Sequence, residues 1–298
     1  MKNFKTIGIL SPGDMGHSVG KEFKNNGFSI VTCLKGRSKL TKNYAKEAGF
    51  VCLKTYKNVL EESDIVLSIL PPKNSITFAS KIAKDLEKIK SKPVYVDCNA
   101  ISPQNAKKIN KIIVATGCSF VDSGIIGPPP INTNTTKFYI SGLQLNKLKE
   151  LETKRIQICP VGKEIGRASA MKMCYASLTK GTRALHAAVI TVAEKHGLTK
   201  ELKKEFLSSQ KNIYEMMIKT QPRLPSVSGR WIGEMEEIAD TFKEMGVSPF
   251  FHLAAASIYS MMNNSPLSKE KSNNFNAKRS LEELAKIYAK TIKKKLIQ

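Results

Sequence analysis

The residue of this sequence best suited to acid–base chemistry is a lysine inside a long stretch with helical spacing. Lys172 lies among small and apolar neighbours, and residues three or four positions apart continue its face of the helix. A lysine in such surroundings can be desolvated, which lowers its pKa toward the range of a general acid or base. Spacing alone leaves a second interpretation open, in which the side chain is exposed like most lysines of this chain. The predicted face carries Lys172, Tyr175, Ala176, Thr179, Arg183 and His186.

A second motif, near the start of the chain, has the chemistry of a phosphate-binding turn. An apolar run at residues 7–10 stops at the turn Ser11-Pro12-Gly13-Asp14-Met15-Gly16, and a helix-compatible stretch follows. In the dinucleotide-binding fingerprint G-x-G-x-x-G, Gly13 and Gly16 hold the second and third places and Ser11 replaces the first glycine. Backbone N–H groups at a helix start bind phosphate, so these six residues are candidates for holding a cofactor pyrophosphate. An ordinary strand–turn–helix would show the same pattern.

The end of the predicted second strand indicates which nicotinamide nucleotide is bound. NAD-binding proteins usually place Asp or Glu there to bind the ribose 2′-hydroxyl. This chain has no acid at that point and offers Lys35, Arg37 and Ser38. Two cations and a hydroxyl suit a 2′-phosphate, which favours NADP over NAD. The alternative is a plain basic surface in an already basic chain.

Three later strand ends carry turn-forming or polar residues, at residues 63–72, 96–103 and 120–130. In the second of them, Ser102 is placed to cap the next helix, with Pro103 at its first position. Ligands bind at the carboxyl ends of the strands in open α/β sheets, so these ends predict a crevice. We assign four residues of these ends to cofactor binding: Leu70, Pro71, Pro72 and Asn99.

The order of apolar and amphipathic segments predicts an α/β domain followed by an all-α domain. Strands are predicted at residues 4–10, 28–33, 64–70, 93–98, 118–122, 137–141 and 155–159, with helices at 15–26, 42–48, 73–90 and 102–114. This alternation is typical of a mostly parallel, doubly wound sheet of the Rossmann type. Later helices are predicted at residues 163–196, 199–220, 228–246, 248–263 and 279–296. We therefore predict an NADP-binding Rossmann domain at 1–161 and an all-α substrate and dimerisation domain at 162–298.

The composition is ordinary for a globular protein of two domains, with 298 residues of which 41% are hydrophobic. No apolar run approaches the ~18 residues that a membrane span requires. The first predicted strand begins too early to leave room for a signal peptide, so a cytoplasmic location is expected. The six cysteines form no C-x-x-C pair and are expected to be reduced core residues. The four histidines have no metal-ligand spacing, and no metal site is expected.

The formal net charge of +23 leaves two kinds of partner open. Nucleic-acid binding is one, although only 7 of the 48 basic residues are arginine, the main base-reading residue, and the lysines are scattered. A solvated, lysine-rich surface is the simpler interpretation. The same charge would attract an anionic small-molecule substrate or a phosphorylated cofactor.

Four motifs together resemble the β-hydroxyacid dehydrogenases, which include 3-hydroxyisobutyrate dehydrogenase and are related to 6-phosphogluconate dehydrogenase. The motifs lie at residues 8–16, 70–72, 97–99 and 166–172. The resemblance implies hydride transfer between a nicotinamide and a small hydroxy acid or semialdehyde, with Lys172 as the general acid/base. It also implies a homodimer built by interlocking helical domains. The segment around Arg230 and Trp231 looks like a branch with a distinct C-terminal helical domain.

The chain departs from the family pattern on the substrate side. The family's Ser-Gly-Gly becomes Ile126-Gly127-Pro128, the Asn after the lysine becomes Ala176, and a later Lys-Asp pair becomes Gly233-Glu234. Substrate identity therefore does not carry over, and we expect a more apolar or aromatic pocket. The residues assigned to it are Ser123, Gly124, Gly127, Tyr175, Thr179 and Trp231.

Two alternative functions remain beside the dehydrogenase. An imine reductase fits the loss of the carboxylate-binding hydroxyl, although the retained Lys172 argues against it. A basic nucleic-acid-associated module that keeps the dehydrogenase fold fits the net charge. Strongly salt-dependent DNA binding without turnover would favour the second alternative.

Overall fold

The computed structural model describes residues 4–143, 145–271 and 274–292. The chain forms two compact units, Met1–Met173 and Cys174–Gln298, here called the sheet unit and the helical unit. The strands of the sheet unit are β1 Thr6–Ile9, β2 Ser29–Cys33, β3 Val51–Leu53, β4 Ile65–Ser68, β5 Val94–Asp97, β6 Phe120–Ile126, β7 Thr136–Gly142 and β8 Ile156–Pro160. Its helices are α1 Asp14–Asn25, α2 Lys39–Glu47, α3 Tyr56–Glu62, α4 Ser75–Leu86, α5 Pro103–Val114 and α6 Leu145–Leu148.

The eight strands form one sheet in the order β3-β2-β1-β4-β5-β6-β7-β8. All pairs from β3 to β6 are parallel, β7 runs antiparallel to β6, and β8 runs parallel to β7. The predicted mostly parallel Rossmann-type sheet is therefore confirmed. The chain order reverses between β1 and β4, which is where such sheets open a crevice for ligands.

The strands are apolar on both faces because helices cover both sides of the sheet. Along β4, Ile65 and Leu67 pack into one buried cluster and Val66 packs into the other. Successive side chains of a strand point to opposite faces, so an unbroken apolar run is what a central parallel strand requires.

Three strands and helices of the sheet unit were not predicted, namely β3, α3 and the single-turn helix α6. β3 has three residues at the sheet edge, and Val51 is 53% exposed. The predicted start of α5 is confirmed, because Pro103 is its first residue and Ser102 Oγ accepts a hydrogen bond from the Asn105 N–H.

The helical unit begins inside a long helix, α7 Arg167–Lys195, and continues with α8 Thr199–Ser209, α9 Lys211–Thr220, α10 Pro225–Glu244, α11 Phe250–Asn263 and α12 Leu281–Thr291. Short 3₁₀ helices lie at Pro72–Asn74, Lys149–Leu151, Gln221–Arg223 and Pro266–Lys269. The single helix predicted at 199–220 is two, because Gln210 leaves the helical region at φ −139°. Among the described residues, no helix combines the length and apolarity needed to cross a bilayer.

The expectation of six core cysteines was wrong for two of them. Cys33, Cys98 and Cys118 are buried, whereas Cys52 and Cys174 are exposed. Cys52 lies on the edge strand β3, and Cys174 lies on an outward face of α7. Both side chains are therefore exposed, although their neighbours in sequence are apolar. All six are free thiols.

Candidate active site

The turn after β1 has the shape of a phosphate-binding turn. The Gly13 N–H donates to the Ser11 carbonyl at 2.9 Å, and α1 starts at the next residue. A Cβ on Gly16 would lie 2.4 Å from the Ser11 carbonyl oxygen, so only glycine lets α1 approach the turn this closely. A Cβ on Gly13 would meet no heavy atom within 4 Å, which leaves open space at the helix start. In the same turn, Pro12 is buried, Met15 is partly buried and Asp14 is exposed.

His17, which the sequence did not single out, is part of this turn. Its Nδ1 lies 2.8 Å from the Gly13 carbonyl oxygen, and its ring stacks on Tyr44 with 4.1 Å between centroids. The imidazole therefore connects the turn to α2. A histidine four residues after a glycine carries no recognisable sequence signal for this contact.

Arg37 lies across the carboxyl end of β1. Its Nη2 donates to the Leu10 carbonyl at 3.0 Å and to the Tyr56 hydroxyl at 2.7 Å. Its Cζ also lies 5.5 Å from the centre of the Phe78 ring. Tyr56 and Phe78 were not predicted, because they come from α3 and α4, far from the fingerprint in sequence. These contacts fix a guanidinium group beside the turn after β1.

The two other residues predicted to recognise a 2′-phosphate are placed differently. Lys35 is exposed. Ser38 precedes α2, and its Oγ accepts a hydrogen bond from the Thr41 N–H at 3.2 Å, which makes it the N-cap of that helix. Of the three, Arg37 is the one that the fold holds in place at the strand ends.

Asn99 fixes the loop after β4. Its Oδ1 accepts a hydrogen bond from the Leu70 N–H at 2.6 Å. Its amide nitrogen donates to Ser68 Oγ at 3.2 Å and to Asp97 Oδ2 at 3.0 Å. The buried side chain thus uses both its oxygen and its nitrogen within the protein, and it shapes the loop containing Pro71-Pro72 rather than presenting a free group. In that loop Pro71 is exposed and Pro72 is buried.

Two carboxyl groups lie side by side near the carboxyl ends of β5 and β6, because Asp97 on β5 pairs in register with Asp122 on β6. Burial raises the pKa of Asp97 to about 7, with the Asp122 charge adding to the shift and the Asn99 N–H opposing it. Burial also raises the pKa of Asp122, against the hydrogen bonds that it accepts. An aspartate within the apolar run of β6 was a signal that the sequence offered, since a buried carboxylate requires donors.

Lys172 lies beyond the end of the parallel strands. Its Nζ donates to the carbonyl oxygen of Ile125 in β6, and the side chain is half-buried. Ile125 is three residues past Asp122, the last β6 residue paired with β5, which corresponds to roughly 10 Å of strand. The ammonium group is therefore raised above the carboxyl edge that also carries the turn after β1 and the loops after β4 and β5.

Three of the predicted substrate residues lie on or after β6. Ser123 has no exposed surface. Gly124 instead faces α7: a Cβ there would lie 2.8 Å from Lys172 Cβ. Gly127 is exposed, has φ +117° and adjoins the Thr135 carbonyl, so it forms the turn that follows the strand.

The other three predicted substrate residues lie in the helical unit. Tyr175 is 49% exposed, and Thr179 Oγ1 donates back to its carbonyl at 3.0 Å. Trp231 is only 7% exposed and packs edge-on against Tyr259 with 5.3 Å between ring centres.

A buried ion pair beside Trp231 was missed. Lys180 Nζ donates to the carboxylate of Glu234, and the two residues are 8% and 6% exposed. Arg230 contacts the same carboxylate at 3.5 Å, and Arg183 lies 5.7 Å from the Trp231 ring centre. Nothing in the sequence separates Lys180 from the other lysines. Among the described residues, no group of three or more His, Cys, Asp or Glu side chains is suited to hold a metal ion.

Comparisons with known proteins agree with this geometry. A family profile described as the NAD binding domain of 6-phosphogluconate dehydrogenase matches residues 6–153, and a profile described as a domain of unknown function (DUF1932) matches residues 193–262. An uncharacterised 28.5 kDa protein in the 7S RNA 5′ region of Methanothermus fervidus is 37% identical over 196 residues, which cover 66% of this chain and 74% of that protein. The mitochondrial 3-hydroxyisobutyrate dehydrogenase of Drosophila melanogaster is 28% identical over 176 residues, which cover 57% of this chain and 52% of the fly protein.

Solved structures share the fold. The 3-hydroxyisobutyrate dehydrogenase of Mycobacterium tuberculosis superposes with a TM-score of 0.68 at 16% identity, over 95% of this chain and 98% of that one. An imine reductase from Bacillus cereus superposes with a TM-score of 0.54 at 18% identity, over 87% and 92% of the two chains. With its NAD-binding profile, its relatives and its Rossmann-type sheet followed by a helical region, the chain belongs to the β-hydroxyacid dehydrogenase family and is a dehydrogenase or reductase.

Proposed function

We propose that this protein is an NADP-dependent oxidoreductase that interconverts a small hydroxy acid and the corresponding semialdehyde, with Lys172 as the general acid/base. The observation that carries the proposal is the position of the Lys172 ammonium. It is held on the Ile125 carbonyl beyond the carboxyl end of β6, at the sheet edge that also carries the turn after β1.

The residues around the turn after β1 fit a dinucleotide. The open space at Gly13 and the free first turn of α1 offer backbone N–H groups to a pyrophosphate. The loop that Asn99 holds at Leu70 would border the nicotinamide half, since it follows the neighbouring strand β4. When bound, the nucleotide supplies or accepts the hydride.

NADP is favoured over NAD by the charge at the end of β2. The Arg37 guanidinium is oriented by Leu10 and Tyr56, and the segment after β2 carries no carboxylate that would pair with a ribose diol. A 2′-phosphate would receive charge-assisted hydrogen bonds from this guanidinium. Lys35 adds a second cation that is free to move toward the phosphate.

Lys172 performs the proton transfer in this proposal. During reduction its Nζ gives a proton to the substrate carbonyl oxygen, and during oxidation the neutral amine takes the proton from the hydroxyl. While the oxygen carries developing negative charge, the same cation stabilises it. The Ile125 carbonyl orients the ammonium group between these steps.

Two features of the chain bear on the substrate class, its net charge and the residue that replaces the family's carboxylate-binding hydroxyl. The net charge of +23 favours an anionic molecule, whereas Ile126 replaces the hydroxyl that the family pattern provides for a carboxylate. An imine reductase also shares the fold of this chain. Together with the replacement by Ile126, this makes imine reduction the second candidate function.

A substrate screen on the purified protein tests both candidate functions, the hydroxy acid dehydrogenase and the imine reductase. NADPH oxidation is followed with short semialdehydes, keto acids and cyclic imines, and NADP⁺ reduction with hydroxy acids. Turnover of a semialdehyde and its hydroxy acid is expected. Turnover of cyclic imines alone would replace the first candidate by the second, and salt-dependent DNA binding without turnover would remove both.

Lys172→Ala is the variant that tests the catalytic role. Loss of the proton donor should reduce turnover about 10²- to 10⁴-fold, while the NADPH dissociation constant, measured by fluorescence, stays within about twofold. Lys163→Ala, at an exposed lysine of the segment before α7, is the matched control and should retain full activity. Unchanged turnover in Lys172→Ala would refute the role.

A further inference from the structure

The start of α7 rests on one buried carboxylate, that of Asp122 in β6. Oδ2 accepts hydrogen bonds from the Gly166 N–H, the Ser169 N–H and Ser141 Oγ, each at 3.0 Å. Oδ1 accepts one from Ser169 Oγ at 2.6 Å. Asp122, Ser141 and Ser169 are each at most 1% exposed. Four donors around one carboxylate match an ionised group, which has only acceptor sites.

These donors include N–H groups that a helix start leaves without partners. The first N–H groups of a helix have no carbonyl one turn earlier, and a negative charge there also interacts favourably with the helix dipole. Asp122 serves Gly166 and Ser169, while Ser141 Oγ accepts from the Ala168 N–H at 3.1 Å. A strand residue far away in sequence thus provides the cap that a local side chain provides elsewhere.

The same strand sets the distance between β6 and α7. Asp122 and Gly124 point to the same face of β6, since side chains alternate along a strand. A Cβ on Gly124 would lie 2.6 Å from the Ala168 carbonyl oxygen and 2.8 Å from Lys172 Cβ, closer than a side chain fits. Lys172 follows Ser169 by one turn and reaches back to the Ile125 carbonyl of this strand. One strand therefore caps the helix, contacts it and orients the ammonium group.

We propose that Asp122 is a positioning residue for the acid/base chemistry: its carboxylate fixes the first turn of α7 and so places the Lys172 ammonium at the carboxyl edge of the sheet. The inference rests on the proposed function of Lys172. It assigns to Asp122 no contact with substrate or cofactor. Its effect on catalysis passes through the position and the electrostatic surroundings of Lys172.

Four variants test this, each measured on the substrate that the wild type turns over fastest in the screen. Asp122→Asn keeps the shape but removes the charge and leaves one oxygen for several donors. Ser169→Ala removes one hydrogen bond and keeps the charge. Gly124→Ala pushes the helix at Lys172. Glu22→Gln is the control, a buried carboxylate of α1 that pairs with Arg155 at 3.0 Å and accepts a hydrogen bond from Thr153 Oγ1 at 2.7 Å.

For Asp122→Asn we expect kcat to fall about 10- to 100-fold with the NADPH dissociation constant within about threefold of the wild type. Loss of a negative charge near the helix start also lowers the pKa of the Lys172 ammonium, so the alkaline limb of the kcat profile for reduction should move to lower pH. Ser169→Ala and Gly124→Ala should lower kcat about 3- to 30-fold. In Ser169→Ala, the alkaline limb of the kcat profile should stay at the wild-type pH. Glu22→Gln should lower the melting temperature without moving the limb.

A folded Asp122→Asn protein with wild-type kcat and an unmoved limb would overturn the inference, provided that Lys172→Ala is inactive. If Asp122→Asn does not fold, wild-type kcat in both Ser169→Ala and Gly124→Ala would overturn it. Full activity of Lys172→Ala would overturn the proposed function, and the inference with it.

Discussion

Asp97 is a buried carboxyl group whose ionisation opposes folding. Burial raises its pKa from 3.8 to about 7, and the neighbouring Asp122 carboxylate adds to the shift. The folded state therefore binds this proton more tightly than the unfolded chain does. The stability that the neutral carboxyl contributes is complete below pH 4 and is lost as the pH rises through about 7. The difference between these two pKa values corresponds to about 4 kcal/mol in total.

Replacement of Asp97 by Asn removes this titration and should flatten the dependence of stability on pH. Between pH 5 and pH 8, the wild-type free energy of unfolding should fall by about 3 kcal/mol more than that of Asp97→Asn. Urea denaturation of both proteins at these two pH values measures the difference. Parallel pH curves for the two proteins would show that Asp97 is ionised in the folded protein throughout this range.

Arg37 is expected to discriminate between NADP and NAD. Arg37→Asp should weaken NADPH binding roughly 10- to 100-fold, the range of a lost charge-assisted hydrogen bond, and should leave NADH binding nearly unchanged. Fluorescence titration with each nucleotide measures both constants. Lys35→Asp is the comparison variant and should have the smaller effect, because that side chain is exposed and not held by neighbours. Equal affinity of the wild type for NADPH and NADH would contradict the preference.

At the residue scale, the sequence identified groups whose role follows from local chemistry and missed those that depend on partners from elsewhere. Gly16 was expected to allow close helix packing, and the 2.4 Å between its Cβ position and the Ser11 carbonyl oxygen confirms it. The roles of Asn99 and Asp122 depend on contacts 29 and 47 residues away in sequence, which no local pattern encodes. Trp231 was assigned to the substrate pocket, and its burial to 7% exposure is set by packing against Tyr259 of another helix, which the sequence does not show.

At the element scale, prediction succeeded where an element is long enough to show its period. The central strands and the helices α1, α5 and α7 each have either a continuous apolar run or several helical turns. β3 has three residues, too few to display an alternating pattern. The break at Gln210 has no glycine or proline at that point to announce it, so 199–220 looks like one amphipathic helix.

The close contact of β6 with α7 explains why this helix does not need a cap of its own. The residues before it, Lys163 to Gly166, offer no Ser, Thr, Asp or Asn next to the helix start. The carboxylate of Asp122 replaces that local signal and connects the helix to the sheet unit. The helix start was therefore predictable only approximately, and its anchoring was not predictable at all.

At the scale of the whole molecule, the helical unit has exposed apolar residues that a second copy of the chain would cover. Leu178, Leu185 and Val192 on α7 are 73%, 51% and 54% exposed and lie seven residues apart, which places them on one face of the helix. Phe250 on α11 is 73% exposed as well. Monomeric proteins rarely expose contiguous apolar patches, and a seven-residue spacing is typical of helix-to-helix contacts between chains. We therefore propose a homodimer that uses this face of α7.

Light scattering coupled to size-exclusion chromatography tests the dimer. The wild type should elute with twice the chain mass of 33.0 kDa. The double variant Leu178→Glu and Leu185→Glu places charges in the apolar face and should elute as a monomer, since burying two unpaired carboxylates costs more than the interface gains there. Val114→Glu, at an exposed residue of the sheet unit outside this face, should remain dimeric. A monomeric wild type at micromolar concentration would contradict the proposal, and a dimeric double variant would assign the interface to another surface.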